Sequence, residues 1–131
     1  AAIDANNNVT LTDGTLDVSA SDYQITVGGS WQNPINKTFE NRSGTVVFDD
    51  NTKTNTITGN TTFHNMTCTT AGKTITFTDG TTQTIEAGGT LTLTGTSGNL
   101  ITLQGSGAAG WNINDSGHYT QFHTSRRGCG K

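Results

Sequence analysis

The sequence predicts an all-β protein, a short right-handed parallel β-helix (solenoid) of about four coils with three strands per coil. Three observations predict it. Apolar residues alternate with polar ones at a period of two, which places the apolar set on one face of a strand. The strands are short and end at turn dipeptides such as Asp79-Gly80 and Ser97-Gly98, which accept positive φ. Sets of strands recur at a spacing near 27 residues, which is typical of a solenoid.

The alternation is clearest between residues 73 and 103, where threonines separate the apolar residues. Earlier strands are expected near residues 9–11, 16–18, 23–27, 46–48 and 63–68, and Gly88-Gly89 is expected to end a strand. Segment 32–44 contains the only proline, Pro34, and is predicted to be a longer loop with Phe39 beneath it. The inward residues of the central segment are predicted to be Ile75, Phe77, Ile85, Ala87, Leu91, Leu93, Ile101 and Leu103.

The recurrence of three strand sets decides between two architectures. An antiparallel β-sandwich also has short strands with turn signals every 8–12 residues, but it does not require three sets to recur together. A right hand is expected because strand crossovers are almost always right-handed. The recurring sets are Ile57, Ile85 and Ile113; Val46, Ile75 and Ile101; and Met66, Leu91 and Tyr119.

Composition indicates a single extracellular domain spanning residues 1–131. The chain has 28 threonines, while hydrophobic residues make up 30% and charged residues 13%. β-Branched threonine suits an exposed strand surface and gives a stiff, weakly charged exterior. A net charge of −3 argues against nucleic-acid binding, and the absence of an apolar run of 18 residues argues against membrane insertion. The opening AAIDANNN is expected to follow a processing site in a secreted protein.

Residues 45–114 resemble the pectin-lyase-like β-helix repeats of bacterial secreted and cell-surface proteins, including adhesins and autotransporter passenger regions. The resemblance depends on the blocks FHNMT at 63–67, AGKTITF at 71–77, TLTLTGTSGNLITL at 90–103 and WNI at 111–113. It implies the β-helical fold, a prokaryotic origin and a cell-surface location. Such repeats usually act as spacers, so the resemblance carries over no catalytic residue.

No group of residues in the sequence predicts an enzyme or a cofactor. The carboxylates are scattered, and most occupy predicted corners, where Asp is first a turn residue. Asp49-Asp50 is a candidate Ca²⁺ site, although a solvated acidic turn explains the pair better. His118, His123 and Cys129 are a conceivable zinc set, but their spacing matches no ligand signature.

Cys68 and Cys129 are a candidate disulfide, within one chain or between chains. The alternative is a buried free thiol at Cys68, because Cys68 is in phase with Met66. Six Asn-x-Ser/Thr sequons are candidate glycosylation sites if the host has the enzymes. They begin at Asn8, Asn36, Asn41, Asn60, Asn65 and Asn114.

Two surface features suggest binding. Outward-facing threonines raise the possibility of ice binding. Their columns break at Val47 and Gln104, so an ordinary β-branched surface explains these threonines better. Aromatic residues are candidates for sugar stacking, although core packing explains most of them better. The threonines are Thr74, Thr76, Thr90, Thr92, Thr94 and Thr102, and the aromatic residues are Tyr23, Trp31, Trp111, Tyr119 and Phe122.

The predicted ends of the column give the functional hypothesis. A β-helix needs capped ends to stay monomeric, because open coils expose strand edges and an apolar cross-section, and no amphipathic helix is predicted at either end. The hypothesis is a structural subunit of an extracellular filament that polymerises head to tail through uncapped ends or by strand exchange. Its partner is another copy, and segments 1–8 and 119–131 are the predicted docking segments. The alternative is a monomeric adhesin or carbohydrate-binding spacer module of a larger cell-surface protein.

Overall fold

The computed structural model describes residues 2–53, 55–116 and 121–126, the last by its backbone. This part of the chain contains fourteen strands and no helix. The strands are β1 (Ile3–Ala5), β2 (Val9–Thr10), β3 (Thr15–Asp17), β4 (Ile25–Val27), β5 (Trp31–Gln32), β6 (Thr38–Glu40), β7 (Thr45–Phe48), β8 (Asn55–Thr58), β9 (Thr61–Cys68), β10 (Thr74–Phe77), β11 (Thr82–Thr94), β12 (Ile101–Gly105), β13 (Asn112–Asp115) and β14 (Gln121–Arg126).

The strands form a right-handed parallel β-solenoid, which confirms the predicted fold class. The chain returns to the first sheet four times between Ile3 and Leu91. The first sheet stacks β1, β4, β7 and the second halves of β9 and β11. The second stacks β2, β5, β8, β10 and β12. On the third side of the solenoid, β3 and β6 form a two-stranded sheet of their own, followed by the paired first halves of β9 and β11 and by β13. β14 pairs with both β11 and β12 and so continues the first two sheets.

The core is a set of apolar columns that run along the solenoid. In the first sheet Ile25, Val46, Met66 and Leu91 are in register, and each is at least 99% buried. They come from successive coils, so each side chain packs on the residue one coil before it. The apolar alternation of the sequence is therefore the cause of the column, because a period of two puts every second side chain inside.

Of the equally spaced sets predicted from the sequence, the pair Met66 and Leu91 is in true register, whereas the isoleucines of the first set are not. Ile57 pairs with Phe77, Ile85 pairs with Phe63, and Ile113 pairs with Gln83. The distance along the chain between paired residues runs from 20, for Ile57 and Phe77, to 30, for Gln83 and Ile113. The corners absorb these differences, so the solenoid is regular although its coils differ in length.

Two predictions about the connections between strands were wrong, although Gly88-Gly89 does lie at a corner, where Gly88 has a φ of 89°. The predicted loop 32–44 contains β6, and the buried Phe39 in this strand packs edge-on against Trp31, with ring centroids 4.9 Å apart. Gly88-Gly89 does not separate two strands, because β11 runs through it with a register shift between Ile85 and Thr90. A Cβ on Gly89 would lie 1.9 Å from the His64 carbonyl oxygen, so glycine permits the close approach of β9 and β11 at this corner.

In the part of the chain that the structure describes, no helix is long and apolar enough to span a membrane.

Candidate functional site: the N-terminal tip

The N-terminal tip consists of β1, β2 and β3, the three strands of the first coil. β1 and β2 are the two terminal strands of the twelve-stranded sheet order, and β3 pairs with β6 in a separate two-stranded sheet. Each strand therefore has one edge that pairs with no other described strand. An edge of this kind presents backbone N–H and C=O groups to which a further strand can add.

The apolar columns reach the surface at this tip. Ile3 is 44% exposed, whereas Ile25, its register partner one coil further on, is 1% exposed. Val9 and Leu16 are half-buried at the same end, although their partners in the second coil are buried. The tip thus exposes part of the solenoid's apolar cross-section, while Leu11 and Val18 of the same coil are buried.

Two ion pairs connect the first coil to the second. Lys37 Nζ lies 3.0 Å from Asp13 Oδ1, and the Arg42 guanidinium donates to both carboxylate oxygens of Asp17 at 2.6 and 2.8 Å. The hydrogen bonds from Arg42, and then from the Ser19 amide, lower the pKa of Asp17 to about 2. Lys37, followed by the Gly14 amide, lowers the pKa of Asp13. Both carboxylates are therefore charged at neutral pH and hold the corner in place.

Asparagines at the corners link each coil to the next, a role that the sequence analysis missed. Asn8 Oδ1 accepts a hydrogen bond from the Ser30 amide at 2.8 Å. The Oδ1 of Asn36 accepts from the Asn60 amide at 2.8 Å, and that of Asn60 accepts from the Thr82 amide at 2.9 Å. The Oδ1 of Asn65 accepts from the Thr90 amide at 3.1 Å, so the donor is 22 to 25 residues further on in each case. In each of these bonds the oxygen belongs to the earlier coil and the N–H to the later one, so the bonds all have the same direction along the solenoid.

These four asparagines belong to the predicted sequons, and the other two are Asn41 and Asn114. Asn41 is 6% exposed, and its Nδ2 donates to the Thr62 carbonyl at 3.0 Å, which leaves no room for a glycan. Asn114 is exposed on β13. Glycosylation at the exposed sequons stays a prediction.

Cys68 lies inside the column with a fully buried free thiol, whose pKa is raised mainly by burial. Cys129 lies outside the described residues, so a disulfide between them also stays a prediction. Close to Cys68 along the chain, Lys73 is 1% exposed and its Nζ donates to the Asp50 carbonyl oxygen. Burial lowers the pKa of this amine.

The candidate metal ligands are not assembled into a site among the described residues. Asp50 accepts hydrogen bonds from Lys53 Nζ and from the hydroxyl and amide of Thr52, so its carboxylate serves its own turn. No group of three or more His, Cys, Asp or Glu side chains in the described ranges is arranged to hold a metal ion. His118 and Cys129 lie outside those ranges, and of His123 only the backbone in β14 is described.

The threonine columns break where the sequence predicted. In the first sheet the register partner of Thr67 is Val47, and in the second sheet the register partner of Thr76 is Gln104. On the second sheet a polar surface cavity of about 320 Å³ lies beside the corner that contains Asn51. Lys53, Thr74, Thr76 and Gln104 contribute to its lining.

The aromatic candidates divide between core and surface. Trp31 and Trp111 are buried, and Trp111 stacks on Phe77 with ring centroids 4.4 Å apart. Tyr23 is exposed. Tyr119 lies outside the described residues, and Phe122 is described only as a backbone position in register with Leu93. Core packing therefore accounts for both tryptophans.

Fold and tip together define a class, the right-handed parallel β-solenoid with an open apolar end. Comparisons of the chain with protein-family models, with curated proteins and with solved structures found no match.

Proposed function

We propose that the protein is a structural subunit of an extracellular filament, which grows when the C-terminal end of one copy stacks on the N-terminal tip of the next. The observation that supports the proposal is the contrast between Ile3, 44% exposed, and Ile25, 1% exposed. The two residues occupy the same column, so one further coil would bury Ile3 as fully as Ile25. A second copy supplies such a coil.

The strand geometry suits this contact. At the C-terminal end β14 lies on the first and second sheets, and β13 lies on the third. At the other end β1, β2 and β3 present the matching edges. Stacking would continue each sheet at the usual strand spacing of about 4.8 Å. Because the two ends differ, the contact is heterologous and does not close, and repetition of it yields a filament.

Secretion and a bacterial cell-surface location are part of the proposal. They are supported by the weakly charged, threonine-rich exterior and by the resemblance of residues 45–114 to pectin-lyase-like repeats of bacterial surface proteins. In this proposal the protein is a mechanical element and not an enzyme, and its partner is another copy of itself.

Charge placed at the tip tests the proposal. We expect Ile3→Asp to abolish filaments, because stacking would bury a carboxylate in the apolar column. Ile35→Asp is the matched control: Ile35 is 57% exposed and lies on a side loop between β5 and β6. Negative-stain imaging and sedimentation of the purified chains measure the outcome, and circular dichroism verifies that both variants fold.

Filaments from the wild type and from Ile35→Asp, with monomers from Ile3→Asp, would support the proposal. A wild-type chain that remains monomeric at high concentration would contradict it. So would filaments that tolerate Ile3→Asp, since their contact would then lie elsewhere.

The polar cavity on the second sheet favours one alternative, a glycan-binding spacer module of a larger cell-surface protein. Its hydroxyl, amide and ammonium groups are of the kind that hydrogen-bond to sugars. In that case the tip would stack on a neighbouring coil of the same protein. A monomer that binds an oligosaccharide, and loses it on Thr76→Val, would favour this alternative over the filament.

A further inference from the structure

We infer that the outward face of the second sheet binds an uncharged polysaccharide. This hydroxyl face consists of the outward side chains of β2, β5, β8, β10 and β12, which follow one another along the solenoid. The inference goes beyond the filament proposal and does not depend on it, because the face lies on the flank of the solenoid and not at its tip. The residues of the hydroxyl face are Thr10, Gln32, Thr56, Thr58, Thr74, Thr76, Thr102 and Gln104.

Every residue of the hydroxyl face is uncharged and can form hydrogen bonds. None of the five strands contains a charged residue, whereas Asp4 lies on the first sheet, and Asp17 and Glu40 lie on the third side. The inward residues of these strands, such as Ile75 and Phe77, are buried. The strands therefore present mainly threonine and glutamine side chains to solvent.

Hydrogen bonds along the columns hold some of these side chains in place. Thr10 Oγ1 donates to Gln32 Oε1 at 2.7 Å, and Gln104 Nε2 donates to Thr76 Oγ1 at 3.0 Å. Among the described residues Thr76 Oγ1 has no other hydrogen-bond partner. Since a hydroxyl has one donor and two acceptor positions, Thr76 can still donate to a ligand. Side chains ordered in advance lose less entropy when the ligand binds.

The corner 49–53 forms a wall beside the hydroxyl face and encloses the polar cavity. Lys73 is 1% exposed, and its Nζ donates to the Asp50 carbonyl oxygen. The Asp50 carboxylate accepts from the amide and hydroxyl of Thr52 and from Lys53 Nζ. These bonds fix the wall on two sides. The cavity of about 320 Å³ is at the low end of ligand sites, which span about 300–1,000 Å³, so it suits a small unit such as a sugar ring.

The charge at the cavity favours an uncharged ligand. Lys53 is the one charged residue among the described lining residues, and its Nζ lies 2.7 Å from Asp50 Oδ2. The hydrogen bonds from Lys53, and then from Thr52, lower the pKa of Asp50, so this carboxylate stays charged and balances the ammonium. An acidic polysaccharide or a nucleic acid therefore meets no unpaired cation here. The face also lacks the Trp, Tyr and Arg side chains that dominate protein interfaces.

The length of the hydroxyl face favours a chain of sugars over a single one. Thr56, Thr76 and Gln104 come from successive coils and are in register. Five strands are separated by four spacings of about 4.8 Å, so the face is about 19 Å long. A polysaccharide that lies along the solenoid can bond to several coils at once. In a filament the face would recur in each copy, and linked sites raise the avidity.

Affinity electrophoresis, with polysaccharide in the gel, tests the inference. The probes are hydroxyethylcellulose and galactomannan, which are uncharged, and polygalacturonate, which is acidic. The Ile3→Asp chain is measured beside the wild type, so that a change at the tip is present in one of the two chains. We expect at least one uncharged probe to retard both chains, and polygalacturonate to retard neither. Thr56→Val and Thr76→Val should each weaken binding about five-fold, because each loses one hydrogen bond to the sugar.

Thr67→Val is the matched control. Thr67 is half-buried and outward on β9 in the first sheet, and the same substitution there should leave the retardation unchanged. Retardation by polygalacturonate alone, or by none of the probes, would overturn the inference. So would retardation that Thr56→Val and Thr76→Val do not weaken, or that Thr67→Val weakens as much. Sedimentation of the wild type measures filaments separately, so the filament proposal and this inference can fail independently.

Discussion

At the scale of single residues, several charged side chains lie at the corners, and two ion pairs secure the corners of the first coil to the second. Asp17 and Arg42 are the clearest case, because the guanidinium binds both carboxylate oxygens across 25 residues of sequence. The sequence shows which residues are charged, but not that this pair meets, since the pairing depends on the length of the second coil.

The lowered pKa of Asp17 predicts a loss of stability in acid. Its folded pKa is about 2, below the model-peptide value of 3.8, so the stabilisation is present above about pH 4 and is lost as the pH falls toward 2. We expect Asp17→Asn to reduce the fall in the free energy of unfolding across this window. Urea unfolding at a series of pH values measures it.

Arg42→Gln serves as the control for this prediction, because it removes the main cause of the pKa shift and leaves the carboxylate in place. It should likewise reduce the fall in the free energy of unfolding across this pH window. If the acid limb is as steep in both variants as in the wild type, the pair does not account for it.

At the scale of strands and corners, the sequence predicts faces well, and it predicts the turns at Asp79-Gly80 and Ser97-Gly98, where both glycines have positive φ, but it misses the continuation of a strand through one corner. A period of two assigns Ile75, Phe77, Leu91 and Leu93 to the interior, and all four are buried. It also assigns Ala87 there, but Ala87 is exposed because the register shifts after Ile85. Gly88-Gly89 reads as a turn in the sequence, yet β11 passes through it. The reason is physical: glycine marks both a turn and a close approach of two backbones, and only the neighbouring coil decides between them.

Two glycines separate these roles. We expect Gly89→Ala to destabilise the protein by about 3 kcal/mol, since its Cβ would collide with the His64 carbonyl and β9 or β11 would have to move. Gly98→Ala should cost about 1 kcal/mol, because Gly98 has a φ of 80° but has nothing within 4 Å. Urea unfolding of both variants gives the comparison. Equal costs would mean that the His64 carbonyl can move aside, so that the contact with β9 does not fix glycine at position 89.

At the scale of the whole molecule, burial rises from the N-terminal tip into the column. The sequence predicted the solenoid, its hand and about four coils, because all of these follow from alternation, turn signals and crossover geometry. It predicted the register only in part: Met66 and Leu91 are paired as expected, but the equally spaced Ile57 and Ile85 lie on different sheets.

A pair of leucines measures the burial gradient. In a solenoid each coil is stabilised by its neighbours, so we expect Leu91→Ala, at 1% exposure in mid-column, to cost about 3 kcal/mol or more. Leu16→Ala, on half-buried β3, should cost about 1 kcal/mol because only one coil packs on it. Unfolding is measured in the Ile3→Asp background, so that assembly does not contribute. Similar costs would indicate that the tip is as well packed as the centre.

The unequal coil lengths have a consequence for how such a chain can vary. Paired residues are between 20 and 30 positions apart along the chain, yet the columns stay aligned because the extra residues of the longer coils lie in the corners. Residues can therefore be inserted into, or deleted from, the corner loops without displacing any of the paired strands. A chain built this way can diversify what it displays along its flanks while its backbone ladder stays the same.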